Sequence, residues 1–195
     1  MPPQTSPPPP EHEAASAGAA LSDAMLVQQV LAGRVEAFAT LVDRHHAHCL
    51  RVATNLLGNA DDADDVVQEA FVRAYRHIGR YSERDRFLAW LLRIVVNQCR
   101  TRATREARYT ALEPHVHEGL VVDGPDAAHT DRREELAVAL AQLAPEQREA
   151  IVLRFGEELS YDEMATVTGA GVSALKMRVQ RACSRLRTLL SEHLS

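Results

Sequence analysis

Apolar residues recur at three- and four-residue steps through most of the chain and nowhere alternate in twos, so the pattern predicts helices and no strands. Leu26, Val30 and Leu31 mark a first short helix that begins at Asp23. Phe38, Leu41, Val42, His45, Cys49, Leu50, Ala53, Leu56 and Leu57 mark a longer second helix, which Gly58 and Asn59 end. Val66, Val67, Ala70, Phe71, Ala74 and Ile78 form the stripe of a third, stopped by Gly79. Asp61, Asp62, Asp64 and Asp65 crowd its first turn, where negative charge complements the helix dipole. A fourth helix is expected from about Asp85 to Arg105, with Phe87, Trp90, Leu91, Ile94 and Val95 facing the core.

The period is lost over 107–131, where Pro114, Gly119, Gly124 and Pro125 accompany Glu113, Glu118, Asp123 and Asp126, the mark of an acidic, flexible linker. It resumes with Leu136, Ala139, Leu140 and Leu143. Pro145 then opens a helix carrying Ile151, Val152 and Phe155. Ser160 and Glu163 have capping-box spacing and start a short helix, which Gly169, Ala170 and Gly171 break. The last helix starts near Ser173, with Leu175, Val179, Ala182, Leu186, Leu189 and Leu190 on one face. The expectation is an all-α protein of two small domains, a four-helix domain over 23–106 and a C-terminal domain over 132–195, joined by the linker. Residues 1–22 are Pro- and Ala-rich without periodicity and are expected to be a disordered tail.

A chain of 195 residues, 46% hydrophobic, supports one medium core or two small ones, and the pattern favours two. No apolar run approaches the length of a membrane helix, and the start has neither the basic nor the apolar part of a signal peptide. The chain is therefore expected to be cytoplasmic, with no membrane insertion. Cys49, Cys99 and Cys183 are odd in number, with no CxxC pair, so neither a disulfide framework nor a thiolate zinc site is expected. His45, His46 and His48 lie beside Cys49, but no second His/Cys cluster supplies the remaining ligands of a tetrahedral site, and no metal is expected. There is no Gly-rich phosphate loop and no nucleophile motif. Catalysis, a cofactor and a small-molecule substrate are all unexpected.

A net charge of −5 argues on average against nucleic acid, whose binding depends on neutralising phosphates. The average hides alternation: −7 over residues 1–70, +7 over 71–108, −4 over 109–134, −5 over 135–170 and +4 over 171–195. Two basic blocks suit two separate nucleic-acid contacts. The second block has the spacing of a helix-turn-helix, whose second helix enters the major groove. Small Ser173 and Ala174 permit close approach there, and Lys176, Arg178 and Arg181 can reach base acceptors or phosphates. The plainer alternative is an antiparallel helix pair with a basic outer face. The first block mixes Arg73, Arg76, Arg80, Arg84, Arg86 and Arg93 with Tyr75, Tyr81, Phe87 and Trp90, which suits unpaired bases, because stacking on a ring is worth roughly 1–3 kcal/mol per base. Phe87 and Trp90 have core spacing, and Trp90 is expected to pack the domain. Tyr81 and Asn97 fall off that pattern.

The residues resemble those of the extracytoplasmic-function sigma factors of the sigma-70 superfamily over about 23–192. Asn59 to His77 (NADDADDVVQEAFVRAYRH) is similar to region 2.2, and the resemblance implies docking on the clamp helices of the polymerase β′ subunit through Asp61, Asp62, Asp65, Gln68, Glu69 and Phe71. Phe87 to Asn97 (FLAWLLRIVVN) resembles regions 2.3 and 2.4, implying that Arg80, Tyr81, Arg84, Arg86, Arg93, Asn97 and Arg100 melt and read the −10 element. Leu143 to Arg154 (LAPEQREAIVLR) resembles region 4.1. Leu159 to Ala165 (LSYDEMA) and Val172 to Ala182 (VSALKMRVQRA) resemble region 4.2, implying that Ser173, Ala174, Lys176, Met177, Arg178 and Arg181 read the −35 element. The implied partners are core polymerase through its β′ and β subunits, promoter DNA and an anti-sigma factor. Thr101 stands where the family often has Asp, and the stretch from Ser173 to Arg178 departs from the frequent GTVKSR, so the resemblance does not specify a promoter sequence. Two competing readings are a helix-turn-helix regulator whose first half senses a ligand or dimerises, and an interaction-only adaptor. The first gives no reason for an acidic docking helix beside an Arg/aromatic block.

Overall fold

The computed structural model describes residues 21–82, 86–110 and 135–193. Helices α1 (Asp23–Leu31), α2 (Glu36–Leu57) and α3 (Ala60–His77) lead through a 3₁₀ turn (Ile78–Arg80) to α4 (Phe87–Thr110). The second half holds α5 (135–141), α6 (Pro145–Ile151) running into a π turn (Val152–Gly156), α7 (Tyr161–Thr168) and α8 (Val172–His193). No strand occurs among the described residues, as the absence of two-residue alternation required.

Local chemistry sets the helix ends. Gly58 closes α2 in the left-handed conformation at φ 77°, and its N–H donates to the Thr54 carbonyl. Asn59 then starts α3, its Oδ1 accepting from the N–H of Asp61 at 2.9 Å and of Asp62 at 3.2 Å. One dipeptide thus ends one helix and caps the next. Pro145 occupies the first turn of α6, where its missing N–H costs nothing. The capping box at α7 is complete: the Ser160 hydroxyl accepts from the Glu163 N–H, and the Glu163 carboxylate accepts from the Ser160 N–H at 2.8 Å.

Two differences from the expected outline are local. Ser22, expected in the tail, is the N-cap of α1, its hydroxyl accepting from the Met25 N–H. Residues 1–20 of the expected tail lie outside the described residues, as do 111–131 of the expected linker and 132–134 of the expected second domain. Helix α4 continues to Thr110 instead of ending near Arg105.

Packing shows what periodicity did not anticipate. In the first half α2 packs against α1, α3 and α4, with Leu41, Val52, Val67, Leu91 and Val95 wholly buried. His45 and Cys49 belong to that core, 6% and 0% exposed. Helix α4 also packs on α7, and α2 reaches α6 and the π turn. The apolar interior is therefore continuous across the two halves, with Leu153, Met164, Val167 and Leu175 in the same cluster as Leu41 and Leu92. A smaller cluster of Leu140, Leu143, Ile151 and Ala182 ties α5, α6 and α8 together.

Candidate nucleic-acid and polymerase interface

The stripe Ala63, Val66, Val67, Ala70, Phe71 and Ala74 turns one face of α3 into the core. Asp61, Asp65, Gln68 and Glu69 are thereby left on the outside. Arg73 donates to Glu69 twice, at 2.6 and 3.0 Å, and holds its carboxyl below the usual carboxylate range. Asp62 is half-buried and paired with Arg102 of α4. Phe71 points the other way, buried between Phe38 and His46, so its ring supports the face from behind. Val72, passed over in the sequence, and Tyr75, read there as part of the Arg/aromatic block, extend the outer face at helical spacing from Gln68 and are 47% and 42% exposed. An apolar residue exposed on an otherwise clean amphipathic stripe was the available signal.

On α4 the buried row of Leu91, Leu92, Val95, Val96 and Cys99 fixes the helix rotation. Arg93, Asn97 and Arg100 are thereby exposed, at steps of four and three, with Arg86 just before the helix in line with them. Tyr81 is half-buried and packs edge-on against Phe87 at 5.6 Å and Trp90 at 5.7 Å, while Arg80 is exposed at the end of the 3₁₀ turn. Trp90 lies against the core, as its spacing indicated. Arg84 falls outside the described residues. The basic face is not empty. Arg100 donates to Glu149 through two nitrogens, at 2.7 and 2.9 Å, and Arg86 donates to Glu163 at 2.8 Å.

The third surface is α8. Leu175, Val179, Ala182 and Leu189 anchor it, leaving Ser173, Ala174, Lys176, Met177 and Arg181 exposed and Arg178 partly so. The turn before it depends on Gly169 at φ 74°, a conformation that side chains rarely adopt. Tyr161, at the start of α7, lies between two cations, the Arg154 guanidinium 5.3 Å and the Lys176 ammonium 5.7 Å from its ring centre. The short helix, Gly-containing turn and basic second helix form the helix-turn-helix that the spacing indicated.

Among the described residues no group of three or more metal-ligating side chains comes together, and no helix is long and apolar enough to cross a membrane. His45 instead faces Asp23, Nε2 to Oδ2 at 2.9 Å.

An acidic-headed outer helix, a basic helix beside an aromatic cluster and a helix-turn-helix define a class: a helical transcription protein with separate protein-docking and nucleic-acid faces. Residues 41–109 match the family Sigma-70 region 2, and residues 133–186 match Sigma-70, region 4. The chain is 36% identical over 173 residues to the ECF RNA polymerase sigma factor SigM of Mycobacterium tuberculosis, covering 87% of this chain and 85% of that one. It is 31% identical over 172 residues to the RNA polymerase sigma-H factor of Pseudomonas aeruginosa, covering 82% and 89%. Two solved structures are similar as well. CnrH in complex with the cytosolic domain of CnrY gives a TM-score of 0.67 at 31% identity, over 87% of this chain and 97% of that one. RpoE in complex with the anti-sigma factor NepR from Bartonella quintana gives 0.71 at 26%, over 79% and 96%. The chain belongs to the extracytoplasmic-function sigma factors of the sigma-70 family, which direct RNA polymerase to specific promoters.

Proposed function

We propose that this sigma factor holds core polymerase through the outer face of α3, from Asp61 through Asp65, Gln68 and Glu69 to Val72 and Tyr75. Helix α4, with Arg80, Tyr81, Arg86, Arg93, Asn97 and Arg100, takes the opened −10 strand. Helix α8 lies in the −35 major groove with Ser173, Ala174, Lys176, Met177, Arg178 and Arg181 toward the bases and phosphates. The observation that carries this reading is rotational: on each of the three helices the buried row leaves the residues suited to that partner on the outside.

No bond is made or broken by the protein in this scheme, so strand opening draws on binding. Unstacking a base step takes about a few kcal/mol, offset by stacking on aromatic rings and by phosphate contacts. The anti-sigma factor bound to RpoE in the solved complex supports a partner of the same kind here.

Run-off transcription with purified core polymerase tests the reading. Wild type is expected to give promoter-specific transcripts that Arg178→Ala and Asp65→Arg abolish, the first at the DNA and the second at the polymerase. Absence of any specific transcript across genomic fragments overturns it.

A further inference from the structure

The cations near the start of α8 stand at the edges of its outer face. Lys176 sets its ammonium over the Tyr161 ring and is thereby held toward α7. Arg178, only partly exposed, stands on the opposite edge, and Arg181 lies a full turn beyond Met177, further from the helix start. The centre of the face is apolar. Leu175 and Val179 are buried, and Met177 lies two residues from each, about half a turn round the helix, so it points directly away from the core. It is 48% exposed. Helical side chains lean toward the N-terminus, so Met177 extends over the preceding turn, where the exposed Ser173 and Ala174 are too short to obstruct it. A thioether donates no hydrogen bond and accepts weakly, which denies Met177 the paired bonds that read guanine or adenine. Of the groups that base pairs show in the major groove, only the C5-methyl of thymine is apolar.

We propose that Met177 is a specificity residue that reads thymine by its methyl group, packing its thioether end against the C5-methyl of one T in the −35 element. The inference rests on the reading of α8 as the −35 helix and deepens it. Discrimination here comes from apolar contact and from the cost of the wrong neighbour. Cytosine in that place presents an amino donor, which the methionine strips of water without accepting from it. A purine there carries no methyl to cover. Lys176 and Arg181, at the edge and further along the helix, fix its depth and register through phosphates, which carry no sequence information.

The test uses the full chain with core polymerase and a promoter found by run-off transcription, randomised across its −35 region. Holoenzyme-bound DNA is recovered and sequenced for wild type, Met177→Ala and Met177→Ser, both substitutions falling on an exposed site outside the core. Wild type is expected to enrich T at one position where the variants do not, while preferences at the other positions are kept. A duplex of the selected sequence is then made with dU in place of that dT, which removes the methyl and keeps both the base pair and the O4 acceptor. Wild-type affinity should fall about fourfold, the worth of one buried methyl group, and that of the variants should stay level. Equal affinity of wild type for the two duplexes overturns the inference and leaves Met177 a plain surface side chain. An equal loss in the variants, or the absence of any T that depends on Met177, overturns it too. The underlying reading fails differently: wild type then shows no preference anywhere in the randomised −35 region, and the thymine contact falls with it.

Discussion

His45 and the buried cysteines show how far a single position can be read. The apolar spacing placed His45 and Cys49 on the inner stripe of α2, and both are in the core. The partner of His45, Asp23, lies 22 residues away and was not legible, because nothing in a helical period reports which helix end packs against it. Burial pushes the His45 imidazole below its ordinary 6.5, outweighing the pull of Asp23 in the other direction. The consequence for stability has a sign. Below pH 6.5 the unfolded imidazole takes up a proton that the folded one refuses, so His45 lowers stability as the pH falls from there toward the folded value. Thermal melts on either side of pH 6.5 are expected to show a smaller acid loss for His45→Gln than for wild type. The thiols give a second prediction. Burial raises Cys49 and Cys99 to about 12, and the thiolate is the reactive form. An aromatic disulfide reagent at neutral pH is expected to titrate Cys183 alone in the folded chain and all three cysteines in denaturant.

At the scale of the element, legibility followed local chemistry. Gly58, Asn59, Pro145, the Ser160–Glu163 box and Gly169 each act through groups within four residues, so the helix ends they set agree with the pattern. The end of α4 did not, because no glycine or proline follows Arg105 before Pro114 to stop it. The π turn at Val152–Gly156 likewise has no sequence mark of its own. On α3 the periodicity put Phe71 in the apolar stripe, while the resemblance implied a docking role for it. The structure places that ring inside and shows Val72 and Tyr75 outside instead. The capping box offers a measurable check. Ser160→Ala removes the acceptor for the Glu163 N–H and frees that carboxylate from one of its anchors. A loss of about 1 kcal/mol is expected. That corresponds to about 2–4 °C in Tm for a chain of this size unfolding as one unit. A Tm unchanged from wild type would show that tertiary packing alone holds α7.

At the scale of the molecule, charge alternation was visible in the sequence but its geometry was not. Arg86 and Glu163 are 77 residues apart and Arg100 and Glu149 are 49 apart, and no helical period relates them. The sequence supplied the two ends of each pair without their meeting. That meeting bears on how the free chain binds DNA. With −5 overall and Arg86 and Arg100 held by Glu163 and Glu149, the free chain offers a duplex mainly the cations of α8. Five cations on one helix release few counterions, so binding at physiological salt is expected to be weak and to fall gently with added salt. Joined to core polymerase, the chain gains phosphate contacts on two elements, and affinity should rise together with the steepness of its salt dependence. Arg181→Ala is then expected to weaken holoenzyme binding on all promoters alike and to reduce the slope of log affinity against log salt by about 1, the signature of a single lost phosphate contact. Gel shifts of free protein and holoenzyme across a salt series read both quantities. Nanomolar binding of the free chain to one duplex in physiological salt would assign promoter reading to α8 unaided and leave the pairing of α4 with the second half without a consequence for DNA.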